Sequence, residues 1–205
     1  MTIDLREWST RLRRIAEPVL AGTPAVREAT PEDRARFADE FTDEAGHRRV
    51  WDRFLLARVL RVPAGARGEP WLWSWHAALG LAHADPPASP PFFARPDSWT
   101  LEQETEKELA GLHGWTWLIP DGATDARFES ALDWVLANIQ PDNATNHPWA
   151  IHAFLRRAAR GDDFARLYAE AMLHCSIVHL GRPDRFSALI LLDAADHLRD
   201  RTPAP

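Results

Sequence analysis

The chain has 205 residues, 30 of them acidic against 24 basic, for a net charge of −6, and 45% of it is apolar. Such a length suits one domain that folds without staples, and the composition is globular, not disordered. An acidic chain has no general attraction for phosphate backbones, so nucleic acid is not an expected partner.

Cys175 is the single cysteine. It can form no internal disulfide and no cysteine-rich zinc site, which fits a reducing, cytoplasmic setting. The first residues carry Asp4, Arg6 and Glu7 where a signal peptide needs an apolar run. The longest uncharged stretch, Trp71 to Ala84, is shorter than the ~20 residues a spanning helix requires, so no membrane partner is expected. One number is unusual: ten residues are Trp, several times the average share.

In chain order, Leu5, Trp8, Leu12, Ile15 and Val19 recur at three- and four-residue steps and predict a helix over 4–20. Thr30 followed by Pro31, Glu32 and Asp33 reads as the capped start of a second helix running toward Gly46. Val50, Trp51, Phe54, Leu55 and Val59 predict a third that stops before Pro63. The uncharged 71–84 segment predicts a helix buried on all sides. Five prolines between Asp85 and Pro96 cannot continue it, and 85–97 is where a subdomain break would fall.

Thr100 with Gln103 resembles a capping box and opens a helix expected to end at Gly114. The segment WTWLIP, 115–120, is expected as a buried extended turn, since a lone strand has nothing to pair with. Phe128 to Ile139 marks another helix. Three more follow, over about 148–160, 162–180 and 183–199, separated by Gly161 and Gly181. The expected fold is all-α: a single domain over 1–205 of about eight or nine helices, arranged as a bundle or an irregular antiparallel hairpin array. The short connections among the last three predict that they pack as consecutive neighbours.

Two constellations are candidates for function. Carboxylate–His pairs three or four residues apart can project toward one metal ion from a helix. Asp43 and Glu44 with His47, Glu170 with His174, and His197 with Asp193 and Asp200 have that spacing. Nine His among 30 acids supply about five such pairs by chance. The best four-residue group is Glu170, His174, Asp193 and His197, on two consecutive helices; it would make the protein a helical oxidase or hydrolase with a divalent ion. Cys175 and His179 share a face, but apolar neighbours make the thiol a core group more than a nucleophile. No phosphate loop, nucleophile elbow or zincin motif occurs.

The second constellation is the indole set: Trp71, Trp73 and Trp75 with His76 on one segment, Trp115 and Trp117 on another. These residues either fill a core or wall a pocket or partner-binding patch. The leading expectation is accordingly a non-catalytic binding protein without a cofactor, taking a protein or a small apolar or aromatic ligand through those residues. Charge is also segregated: seven acids against two Arg over 28–44, then six Arg against Asp52 over 48–67. Adjacent helices of opposite sign can simply pair. A third reading is an acidic neutraliser of a basic partner, with salt-sensitive binding.

Overall fold

The computed structural model describes residues 3–48, 51–64, 73–81, 100–120, 123–140 and 147–200. These form helices α1 (Leu5–Ala16), α2 (Pro31–Glu40), α3 (Asp52–Leu60), α4 (Trp73–Ala78), α5 (Leu101–Thr116), α6 (Ala126–Asn138), α7 (Ile151–Ala159), α8 (Asp163–Val178) and α9 (Arg185–Asp200), with no strand among the described residues. The protein is all-α, and one hydrophobic core joins residues from all nine helices. The expected break at 85–97 lies outside the described residues, as do Trp71 and 82–84.

Local chemistry accounts for the helix starts. Asp4, Thr30, Asp125 and Asp162 each accept hydrogen bonds from backbone N–H groups of the first turn. At α5 the capping box is complete, with Thr100 N–H donating to Gln103 Oε1 at 3.0 Å and Gln103 N–H to Thr100 Oγ1 at 3.4 Å. The ends differ more from expectation. Helix α1 stops at Ala16 and passes into turns over 17–22, because Pro18 has no N–H to continue the ladder. Helix α2 stops at Glu40, where Phe41 turns extended. Helix α4, described from Trp73, ends at Ala78 and closes through Gly80 at φ +68°.

Helix α5 runs through Gly114 to Thr116, absorbing part of the segment expected as an extended turn. The reason lies in packing. The Trp75 ring of α4 lies flat against α5, where a Cβ at position 114 would stand 3.0 Å from Trp75 Cδ2. Trp75 Nε1 donates to Ala110 O at 2.8 Å and Ser74 Oγ to Gly111 O at 2.8 Å, so α4 is pinned by two bonds to the backbone of α5. Glycine here serves close approach, not termination.

Helix α9 is the central element. From Phe186 to Leu192, and at Ala194, Ala195 and Leu198, its side chains are buried, and α1, α3 and α7 all pack on it. Helix α1 lies along it, with Ser9 Oγ donating to Ala195 O at 2.7 Å and Arg13 paired with Asp196. Helices α7 and α8 form an antiparallel hairpin about Gly161, at φ +99°. Helix α8 packs on α7 and makes little contact with α9, contrary to the consecutive pairing expected of the last three helices. Helix α7 therefore stands between them.

Candidate functional site

Three helices each bring a pair of polar or aromatic residues one turn apart to the same place: His113 and Trp117 from the end of α5, His152 and Arg156 from α7, Asp193 and His197 from α9. Side chains four apart lie one above the other on a helix, so three such pairs stack into two layers. His113, His152 and Asp193 make the inner layer, and Trp117, Arg156 and His197 the outer one. Arg58 of α3 lies over the Trp117 ring, its guanidinium carbon 3.1 Å from the ring centroid.

Burial is deep. His113, His152 and His197 are each 0% exposed and Asp193 is 3%. Arg58, Trp117 and Arg156 are partly exposed and form the rim. The three imidazoles touch edge to face, with centroids 4.2 Å apart for His113 and His152 and 4.7 Å for His152 and His197. Trp117 meets His197 at 4.5 Å. Beneath His113 lie Trp75, stacked at 5.6 Å with planes 13° apart, and Trp149, edge-on at 5.2 Å.

The hydrogen bonds determine where protons sit. Ala150 N–H donates to His113 Nδ1 at 3.0 Å, so that nitrogen is the acceptor and Nε2 carries the hydrogen. Nε2–H donates to Asp193 Oδ2 at 2.9 Å, and Trp117 Nε1 donates to the same oxygen at 2.8 Å. Asp193 Oδ1 faces Arg58 Nε at 3.2 Å. Arg156 Nη1 lies 3.4 Å from His197 Nε2, and its Nη2 donates to Pro120 O at 3.3 Å. Both ring nitrogens of His152 are buried with no hydrogen-bond partner.

Ala150 holds a left-handed backbone at φ 58° to aim its N–H this way, a cost a β-carbon imposes on any non-glycine residue. A second polar cluster anchors the segment around it. Glu106 Oε1 accepts from Trp149 Nε1 at 3.2 Å and lies 2.7 Å from His147 Nδ1. The segment entering α7 is thus tied to α5 on both sides of Pro148.

Burial, partly opposed by the hydrogen bond and charge of Asp193, holds the His113 imidazole below its ordinary pKa. His152 is pushed well below it by burial first, then by His113, His197, Arg156 and Arg58 around it. Both rings are therefore neutral at pH 7. A neutral imidazole offers one donor and one acceptor. In His113 the fold uses both, whereas in His152 it uses neither.

The residues singled out in the sequence fall in three places. Trp75 and Trp117 belong to this centre, as do Asp193 and His197. Trp73 and Trp115 pack edge to face at 4.8 Å within the core, as do Trp115 and Phe128 at 5.6 Å, and His76 lies edge-on to Phe54 at 5.2 Å. Glu170 and His174 face outward on α8, Glu170 paired with Arg166 at 3.1 Å. The four-residue metal group is thus not brought together, because α7 and not α9 covers the inner face of α8. Among the described residues no group of three His, Cys, Asp or Glu side chains is arranged to hold a metal ion. Cys175 is half-buried on α8.

Neither Arg58 nor Arg156 is a His or a carboxylate, and neither His113 nor His152 has a carboxylate three or four residues away, so carboxylate–His spacing does not point to them. The readable signal was broader: a His four residues from Trp117, and another four from Arg156. No known protein family, no curated protein and no solved structure matches this chain.

Proposed function

We propose that the protein binds a small anionic molecule at the imidazole centre beneath Trp117. The observation that carries this reading is His152, fully buried with both ring nitrogens unpartnered. An unsatisfied buried polar group costs about 1–3 kcal/mol, and such groups call for an explanation that folding alone does not supply. A ligand with one acceptor and one donor satisfies both nitrogens. The rim supports an anion: Arg58 and Arg156 bring two guanidinium groups to a cluster whose inner layer holds one carboxylate, Asp193.

The reading is tested with a panel of small carboxylates and phosphate esters, following Trp emission and thermal unfolding. A binder is expected to raise the melting temperature and change the emission, and Trp117→Phe to remove most of the emission change. His152→Leu, by losing two hydrogen bonds to the ligand, is expected to weaken binding by about 10- to 100-fold. Absence of any response across the panel overturns the reading. So does one tightly held metal ion per chain after metal-supplemented expression, which would point to a metalloenzyme instead.

A further inference from the structure

The buried His152 ring, whose two nitrogens have no partner in the fold, is surrounded by charge as well as by imidazole. Arg58 of α3 and Arg156 of its own helix act on it, and His113 of α5 and His197 of α9 touch it edge to face. Asp193 stands behind His113, its oxygens taken by His113 and Trp117 on one side and by Arg58 on the other. Arg156 aims Nη1 at a ring nitrogen of His197 and Nη2 at the Pro120 carbonyl. Helices α1 and α8, which also pack on α7, turn uncharged groups inward. From α1 these are Trp8, Ser9, Leu12 and Ala16, while Tyr168 of α8 lies on Phe154 and donates to Ile139 O.

Resting on the reading of this centre as an anion site, we infer that its ligand is a small dicarboxylate and that one proton binds with it, held on the second nitrogen of His152. Hydrogen-bonding capacity selects this pairing. A neutral imidazole has one N–H and one bare nitrogen, and an ionised carboxylate only accepts. Such a ligand would leave the bare nitrogen of a neutral His152 orphaned. The imidazolium instead offers an N–H at each edge of the ring, and two diverging donors call for two acceptor groups, one at each end of a short molecule. Charge selects the same ligand. With His152 protonated, two guanidiniums and an imidazolium stand against the Asp193 carboxylate, an excess of two positive charges that a dianion cancels. Without a ligand, burial and the neighbouring imidazoles and guanidiniums oppose protonation of the ring. A dianion reverses the electrostatic part of that opposition. By linkage, the proton then raises the affinity for the dianion by the same factor as the dianion raises the affinity for the proton. The proton comes from solvent on binding and returns to it on release.

The test is calorimetric titration of the whole chain with succinate between pH 6.5 and 8.0, where carboxyl groups are ionised, in two buffers of different ionisation enthalpy. The expected result is uptake of about one proton per succinate at pH 7.0 and an affinity that falls at least tenfold from pH 6.5 to 8.0. Glutamine has one donor and one acceptor and does not titrate. His152→Gln should therefore bind succinate at least tenfold more weakly, and whatever binding remains should take up no proton. Succinate binding without proton uptake, or uptake that persists in His152→Gln, overturns the inference and leaves the anion site standing. So does a phosphate ester that binds where succinate does not. If no small carboxylate or phosphate ester binds at any pH, the anion reading itself fails and this inference falls with it.

Discussion

His152 is the residue at which folding and binding make opposite demands. Its two nitrogens are desolvated without compensation, so leucine, of similar volume and with nothing to satisfy, is expected to raise stability by about 1–2 kcal/mol at pH 7 while weakening ligand binding. Urea denaturation of His152→Leu against the parent chain measures the gain. A loss of more than about 1 kcal/mol would mean that the imidazole is satisfied in the fold, and that no ligand is needed to explain it. This conflict is invisible from the sequence at position 152. The neighbouring Ile151, Phe154 and Leu155 announce a buried helix, but whether a histidine inside it finds a partner depends on residues 39 and 45 positions away, His113 and His197.

At the scale of the helix, α5 shows how a residue with a strong local meaning can be used for another. Glycine ends helices more often than it continues them, so Gly114 followed by an apolar run predicts an end. Its actual role is the flat seat of Trp75. Gly114→Ala, favourable in an isolated helix, is expected to destabilise the protein by about 1–3 kcal/mol, since the added carbon would stand 3.0 Å from the indole. Thermal unfolding decides between the two effects: a rise in melting temperature would show that the ring moves aside at little cost. Helix starts were legible where a side chain caps them, because caps are local, as at Thr30, Thr100 and Asp162, whereas α3 and α7 begin without one. The neighbour of α8 was not legible, since a short loop leaves open whether the next helix packs on the last one or beyond it.

For the whole molecule, the packing of α5 and α7 in the core carries titratable groups into the interior, and stability should depend on pH through them. His113 and His152 have folded pKa values below the ordinary 6.5, so below that pH the unfolded chain binds protons that the folded one does not. Stability is thus fully present above about pH 6.5 and falls as the pH drops below it, at up to about 1.4 kcal/mol per pH unit for each ring. Denaturation midpoints measured from pH 7.5 to 4.5 should decline from near 6.5 downward, and less steeply in His152→Leu. A flat profile would show that these rings protonate within the fold. The all-α class and most helices could be read from periodicity alone. The imidazole centre could not, because its members come from four helices spread over residues 58 to 197 and only the assembled core brings them together.

The bond from Ala150 to His113 has a consequence for how the protein can vary. The proton of His113 is placed by a main-chain N–H, an atom that every amino acid except proline supplies. Truncation of the side chain at position 150 leaves it in place, and glycine would adopt the same backbone with less strain. The tautomer that presents Nε2–H to Asp193 is thereby insulated from loss of the side chain at that position, though not from a larger one, since Ala150 is fully buried. Its vulnerability lies instead with Glu106, His147 and Trp149, whose contacts hold the backbone in place.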